Sequence, residues 1–527
     1  MIFAVSIEEF AMRKHCSICA LLVTLLGLAQ VNLSAAMDLR SPGVMSLDWS
    51  YAGRGAGSDD SAYIPSKRVD IRDFGARING VTDDSRAIQD AIDNCEFSGG
   101  GVVELPPGTI LLEDQITIRS SNIILLGAGK NETIIKIPHS LKYYDLQAGT
   151  DDDTYSRSKG FIQIKGRRIR SGRGSTYATD VVSNAKAGYR ALQVRDTSKF
   201  YIGQWVRLYM SDPKSGPVKS SLLGNMYYNP NRRHDCGEDC LWRLQGHKDM
   251  VRFMSKISEV RYNEIVLERE LPVDVRTNWK PRIHIVDKHD VPQNCGVQGF
   301  TVDFRWIRSK EHLNEAGHNA IVLEETAFSW VRDVAVVNAD LNFVIRYSNF
   351  VSVTEVEARV TKDRSNKKSK GKQGHIAIGI HDSCDIYVSE FDVQDTWWHD
   401  LSVRASMLSV FRNGKGANIN MDLHKSAPYM MLYTDIYLGK GTRAFTTGGK
   451  SGTGMPSAGY TTFWNIRKEG GEPIELPGCS YGPYLNFVGN FEGKRCQGHT
   501  LRKDEETYPK DLFVAQIKKR RKRLALK

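Results

Sequence analysis

Residues 331–358 read VRDVAVVNADLNFVIRYSNFVSVTEVEA, and the likeness between the two ends of this stretch decides the architecture. VRDVAV (331–336) and VTEVEA (353–358) align without a gap, 22 residues apart. Both carry apolar residues at the first, fourth and sixth places and an acid, Asp333 or Glu355, at the third. VSEFDV (388–393), with Glu390 as its acid, fits again 35 residues on, and the excess of 13 matches the polar stretch 362–374. VQGFTV (297–302) lies 34 before Val331, an excess accounted for by RWIRSKEHLNEAG. YTDIYL (433–438) lies 45 beyond Val388, close to two periods. Short segments rich in Val, Ile and Thr with strand alternation exclude a helical solenoid. A coil of about 22 residues holds three short strands and stacks on its neighbour roughly 4.8 Å away. The acids at the third place are then expected to form an outward ladder, and the inserts must protrude from the corners.

The chain has 527 residues, 41% hydrophobic and 25% charged, ordinary for a globular protein. Its N-terminus carries MRKHCSIC, then ALLVTLLGLAQV, then NLSAAMD. Arg13 and Lys14 before an apolar run, with Ser34 and Ala36 at the cleavage positions, predict a secretory signal over 1–36. The run is too short to span a bilayer, which needs roughly 20 apolar residues. Secretion makes disulfides expected. The local pairs are Cys236 with Cys240, in CGEDC, and Cys479 with Cys496. No histidine or second cysteine pair stands at zinc-finger spacing, so no metal motif is read. Asn131 in NET is a glycosylation sequon.

The net charge of +11 is concentrated in two places. KDRSNKKSKGK (362–372) carries six bases and one acid, and KKRRKR (518–523) six bases, so the remainder is formally balanced. The two patches read either as a solvated loop and a disordered tail or as contacts to a polyanion. Outside a cell, that polyanion is an acidic polysaccharide more readily than nucleic acid. RRKR in the tail also suits a dibasic processing protease.

VDIRDFGARINGVTDDSRAIQDAIDNC, followed by SGGGVVELPPGTILLEDQITIRSSNIILLGAGKNETIIKIP, makes a family visible. The first part is a turn ending in an acidic N-cap, then an amphipathic helix with Ala87, Ile88, Ala91 and Ile92 inward. The whole run resembles the opening of the pectate-lyase-superfamily (pectin-lyase-like) right-handed parallel β-helix proteins. The resemblance implies an all-β fold, a single-stranded right-handed parallel β-helix with an N-terminal capping α-helix. It also implies a polysaccharide-binding surface, with lyases, hydrolases, epimerases and phage tailspikes among its members. The polygalacturonase motifs and a clear acidic calcium cluster are absent, so the reaction stays open and the cofactor unknown, with Ca2+ the candidate the family offers. The expected organisation is a signal (1–36), a linker (37–65), cap and first coils (66–140) and a strand-rich elaboration or insertion (141–295). Regular coils (296–470, basic loop 362–374), a disulfide-bonded segment (471–510) and a basic tail (511–527) follow.

Sliding the period along the chain brings Glu324, Arg346 and His381 to equivalent places within two residues, and likewise His318, Asp340, His375 and Trp397. The following coil adds Asp422, His424, Lys425 and Tyr429, and then Arg443. QDTWWHDLSV (394–403) lies in this cluster. For β-elimination from a uronic-acid polymer, the expected base is His399 or His424, the carboxylate neutraliser Arg443 or Arg346, and the acid Tyr429. Trp397 or Trp398 would stack on a sugar, while His381, Lys425 and Asp422 would line the binding surface. A hydrolase would draw two carboxylates from Asp395, Asp400 and Asp422. A non-catalytic extracellular matrix protein binding acidic glycans is the other class.

Overall fold

A computed structural model describes residues 47–55, 63–147, 155, 159–167, 175–211, 249–286, 290–449, 455–502 and 508–525. The predicted signal lies outside them. Among the described residues no helix is long and apolar enough to cross a membrane.

The chain winds into a parallel β-helix whose coils present three faces. Register along the first face runs Val69, Val103, Leu125, Val297, Val331, Val353 and Val388, each the partner of the next. It continues through Phe411, Tyr433, Phe463 and Phe487 to Leu501. The four repeats from 297 to 393 thus stack in the alignment read from sequence, and the two-period gap before Tyr433 is filled by the coil containing Phe411. Coils continue to Thr500–Arg502, past the expected end at 470.

The acid at the third place has a backbone cause. Gly299, Asp333, Glu355, Glu390, Asn413, Asp435 and Asn465 all have φ between 46° and 77°, the left-handed region. There the chain turns from the first face to the second, and Gly, Asn and Asp tolerate that conformation best. The ladder is therefore a line of bends. Its charges are partly paired: Arg332 meets Glu355 at 3.2 Å, and Lys130 meets Asp333 at 3.6 Å.

The third face stacks Ile162–Lys165, Asn319–Glu324, Leu341–Arg346, Ile376–His381, His399–Arg404 and Met421–Leu423. Alternate residues such as Ile321, Phe343, Ile378, Leu401 and Met421 point inward to the common core. Toward the C-terminal end the core becomes an aromatic stack. Phe411, Tyr433, Phe463 and Phe487 lie 5.2 Å apart centroid to centroid, with ring planes within 13° of parallel. Coil stacking alone dictates this spacing, since identical positions repeat at roughly 4.8 Å.

A helix, α1 (Ser85–Phe97), buries Ala87, Ile88, Ala91, Ile92 and Cys95 against strands Gly101–Leu105 and Ile116–Ile118. Asp84, read as its N-cap, makes no cap bond; its carboxylate accepts from the N–H groups of Arg77 and Ile78 instead. Within the strand-rich region, six strands between Ser175 and Val286 form an antiparallel sheet, inserted between two coil strands. It docks on the coil corners through a buried bidentate ion pair, Arg269 with Asp385, at 2.7 and 2.8 Å.

Both basic patches are more structured than their composition suggests. Arg364, inside the 362–372 insert, is fully buried and donates to Asp340, Ala339 O and Ile307 O. The tail forms α2 (Leu512–Ala525), so it is no disordered extension. Leu512 and Phe513 are buried, and Arg520 of the RRKR stretch donates to Ser50 O from beneath the surface.

The cysteines divide in three ways. Cys479 and Cys496 form the disulfide expected of them. The second expected disulfide, Cys236 with Cys240, is not seen among the described residues: Cys236 and Cys240 both lie outside them, in the stretch 212–248. Cys95, Cys295 and Cys384 are buried thiols.

Two stability consequences follow from these contacts. Phe463→Ala opens a gap in the middle of the aromatic stack and should cost about 3–5 kcal/mol, read as a lowered denaturant midpoint. His318 is buried beside Asp340 and Arg364; burial holds its pKa down at about 4, against Asp340 and with help from Arg364, His139 and Lys310. The unfolded chain protonates this histidine near 6.5 and the folded chain resists until about 4. Stability is therefore full above that window and is lost as pH falls through it, by on the order of 3 kcal/mol. Thermal unfolding across pH 4–7 should be flatter in His318→Gln than in the parent.

Candidate active site

Strand register on the third face sets Glu324, Arg346, His381 and Arg404 in one outward column. His424 continues it, its N–H bonded to Val403 O at 2.7 Å. Arg404 is held by Asp382 at 2.9 Å, with 42% of its side chain exposed. His381 is enclosed between Arg346 and Arg404; burial, then those two cations, push its pKa well below 6.5, so the ring is neutral.

Two residues before His424, on the same side of the strand, Asp422 is fully buried. Its Oδ2 accepts from His424 Nδ1 at 2.7 Å and lies 2.8 Å from His399 Nδ1, the second contact off the line of a good hydrogen bond. Its Oδ1 accepts from Gly448 N at 2.7 Å. Burial opposes the charge on Asp422, but the two histidines outweigh it and hold the carboxyl far below the usual range. Nδ1 of His424 is thus fixed as a donor, its Nε2 points away from the carboxylate, and 22% of the side chain is open. Gly448 must be glycine here, because a Cβ would stand 2.3 Å from His399 Cε1 and 2.4 Å from His424 Cε1.

The two inserts complete the site by clasping each other. Ser309 N donates to Arg364 O, Arg308 to Ser365 O and Asn366 to Ser309 O. This clasp sets His312 over the ends of the third-face strands, where its Nε2 lies 3.3 Å from Nε2 of both His375 and His399. Trp398 lies against the His312 ring at 4.8 Å. His375 Nδ1 faces the buried Glu315 at 3.8 Å.

The structure sorts the expected residues. His399, His424 and Asp422 converge, and Arg346, His381 and Trp398 border them. Lys425, half-exposed after His424, donates to Gly449 O. Trp397 is not available to a sugar: it is fully buried in the core, because adjacent tryptophans on an extended chain point to opposite sides. Tyr429 is not positioned as an acid: it is buried on a coil corner, donates to Met407 Sδ, and burial pushes its pKa well above 10. Arg443 is not a neutraliser, since it is spent on Trp397 O at 2.7 Å and the buried Asp400 at 2.8 Å. Asp422 supports two histidines and touches no surface. Asn131 is exposed in the turn before Thr133–Ile137. His312, Glu315, Arg404 and Gly448 were not read from sequence. Arg404 follows from the same period that gave His381, whereas His312 sits in an insert with no periodic signal.

Residues 68–197 match the family model described as rhamnogalacturonase A/epimerase, pectate lyase-like. The N-terminal coils are therefore pectate-lyase-like in sequence. Alginate lyase 7 of Azotobacter vinelandii is 44% identical over 73 residues, covering 13% of this chain and 8% of that protein. Mannuronan C5-epimerase AlgE4 of the same organism is 40% identical over 73 residues, 13% of each. The chain thus spans a small fraction of these relatives' length. Among solved structures, the tailspike gp49 of Pseudomonas phage LKA1 aligns at TM-score 0.49 and 14% identity, over 80% of this chain and 70% of that one. The exopolygalacturonase of Thermotoga maritima aligns at TM-score 0.39 and 12% identity, over 82% and 89%.

Arg443→Ala should act on the fold before the chemistry. It strips the buried Asp400 of its counter-charge, and unfolding experiments should show a loss of about 3–5 kcal/mol.

Proposed function

We propose that the protein is a secreted lyase that cleaves an acidic, uronic-acid-containing polysaccharide by β-elimination. The observation that carries this reading is the Asp422–His424 pair, a half-open imidazole oriented by a buried carboxylate, next to Arg404 and Lys425. An extended uronan lying along the outward column would set a carboxylate against Arg404 or Lys425. Neutralising that group acidifies the adjacent C–H. His424 Nε2 then takes the proton, the electron pair forms the double bond, and the glycosidic oxygen leaves. His424, now protonated, can return its proton to the leaving oxygen if the elimination is syn. Asp422 stabilises the imidazolium in between.

A hydrolase is less well supported. Asp400 is tied to Arg443 and to the N–H groups of Trp397 and Asn420, Asp422 to two histidines, and Asp395 to Val360 N. The likeness of the first coils to an alginate lyase and a mannuronan C5-epimerase supports a uronic-acid substrate, and a signal-like N-terminus supports an extracellular one. Exposed Lys362, Lys367, Lys368 and Lys370 favour one second reading, a non-catalytic binder of acidic glycans.

The test is ultraviolet absorbance of the unsaturated uronate, with purified protein against pectate, alginate, ulvan, glucuronan and glycosaminoglycans. One substrate should give a rise that His424→Ala lowers by at least ~100-fold. A flat trace with constant reducing ends, alongside glycan binding lost when those lysines become glutamates, would establish the binder instead.

A further inference from the structure

We infer that His312, His375 and His399 bind a divalent first-row transition ion, of the Zn2+ class, through their Nε2 atoms. The elimination chemistry above uses none of the three, so this inference stands apart from it.

Three features of the cluster converge. Spacing comes first. Nε2 of His312 is 3.3 Å from Nε2 of each of the other two, and the three rings offer ligand nitrogens within 4.8 Å of one another. Three nitrogens held about 2.0–2.1 Å from a tetrahedral Zn2+ lie about 3.3–3.4 Å apart. Orientation comes second. His399 Nδ1 faces Asp422 at 2.8 Å, and His375 Nδ1 faces Glu315 at 3.8 Å. A carboxylate near Nδ1 favours the proton on that nitrogen electrostatically and leaves Nε2 to an ion, as carboxylates do behind metal-bound histidines, although neither contact here is a well-aligned hydrogen bond. Burial comes third. His375, His399 and Glu315 are nearly inaccessible, while His312 is half-buried on the insert, which leaves an approach from solvent.

Nε2 lone pairs this close repel unless a proton or a cation stands between them, and one cation serves all three at once. Nitrogen donors suit Zn2+ and its neighbours and argue against Ca2+, which takes 6–8 oxygens. The neighbouring group His399, Asp422 and His424 is a poorer candidate. Its 2.7 Å contact, His424 Nδ1 on Asp422, is that of an N–H donor on a carboxylate and leaves that nitrogen no lone pair for an ion. Three histidines leave a fourth position for water or a substrate oxygen, beside the column that ends in His424.

The whole chain, stripped with a chelator, is titrated with Zn2+ by calorimetry and with Co2+ by visible absorption. The expected result is one ion per chain and the intense visible bands of tetrahedral cobalt. His312→Ala, on a partly exposed loop, should weaken binding by more than about 100-fold with thermal unfolding of the apo-protein unchanged. Glu315→Gln, acting through His375, should weaken it about 10–100-fold. Absence of stoichiometric binding would overturn the inference, as would binding that survives both His312→Ala and His375→Ala. Binding abolished by His424→Ala but not by His312→Ala would place the ion on the other group and equally overturn it. None of these readouts depends on whether any polysaccharide is cleaved.

Discussion

Every coil of this protein has to turn sharply at the same three corners and then lie directly on the coil before it. That requirement governs the sequence more than any pairwise contact does. At the corner between the first and second faces it selects Gly299, Asp333, Glu355, Glu390, Asn413, Asp435 and Asn465, all left-handed in backbone. Where two corners come close together the side chain disappears: a Cβ on Gly127 would stand 2.1 Å from Gly299 O. Inside, the same constraint puts like above like, so one position reads Val, Val, Val and then Phe, Tyr, Phe, Phe. Such a ladder gains from stacking without needing interlocking shapes, because each ring meets a ring at the spacing the backbone already imposes.

Length beyond the period cannot enter the coil, and it is there that the molecule acquires its individuality. The inserts after Phe304 and after Arg359 leave the helix two coils apart, with the coil of Trp330–Val337 between them, and bind each other. Arg364 is the pin between them, buried and bonded to Asp340, Ala339 O and Ile307 O. What composition presents as a basic loop is at its root a clasp, and only its lysine-rich crest faces solvent. One result of the clasp is to hold His312 above His375 and His399, which their own strands deliver. Rigid strand ends thus supply two of the three histidines, and a pinned loop supplies the third.

Periodicity made the repeating part of this arrangement legible. Val331, Val353 and Val388 are partners as aligned, and so are Glu324, Arg346 and His381. Expectation and structure part where a residue's direction depends on something other than its place in the period. Trp397 and Trp398 share one place within a residue, yet opposite sides of the chain send one to the core and one to His312. Tyr429 has the right chemistry but stands on a corner whose residues are buried. Arg443 is separated from Asp400 by 43 positions, and nothing local reveals that the two form a buried pair. His312 belongs to no repeat at all, so its partners appear only once both inserts are folded.

Asp422 explains why the histidines cannot be considered one at a time. A single buried carboxylate faces Nδ1 of His399 and Nδ1 of His424, and it can hold both rings only while it stays ionised. Its charge therefore sets the tautomer on both sides: on one side an Nε2 turned toward His312 and His375, on the other an Nε2 turned toward the outward column. Gly448 closes the arrangement by donating to the remaining oxygen at a position where no larger residue fits. The histidine trio and the half-open imidazole are two ends of one carboxylate-bridged unit. A change in the charge or ligation of one end must reach the other through two short contacts, of 2.7 and 2.8 Å, to a single oxygen. The β-helix makes such sharing easy, since its coils bring two side chains and a backbone N–H to the same carboxylate without any long-range adjustment of the backbone.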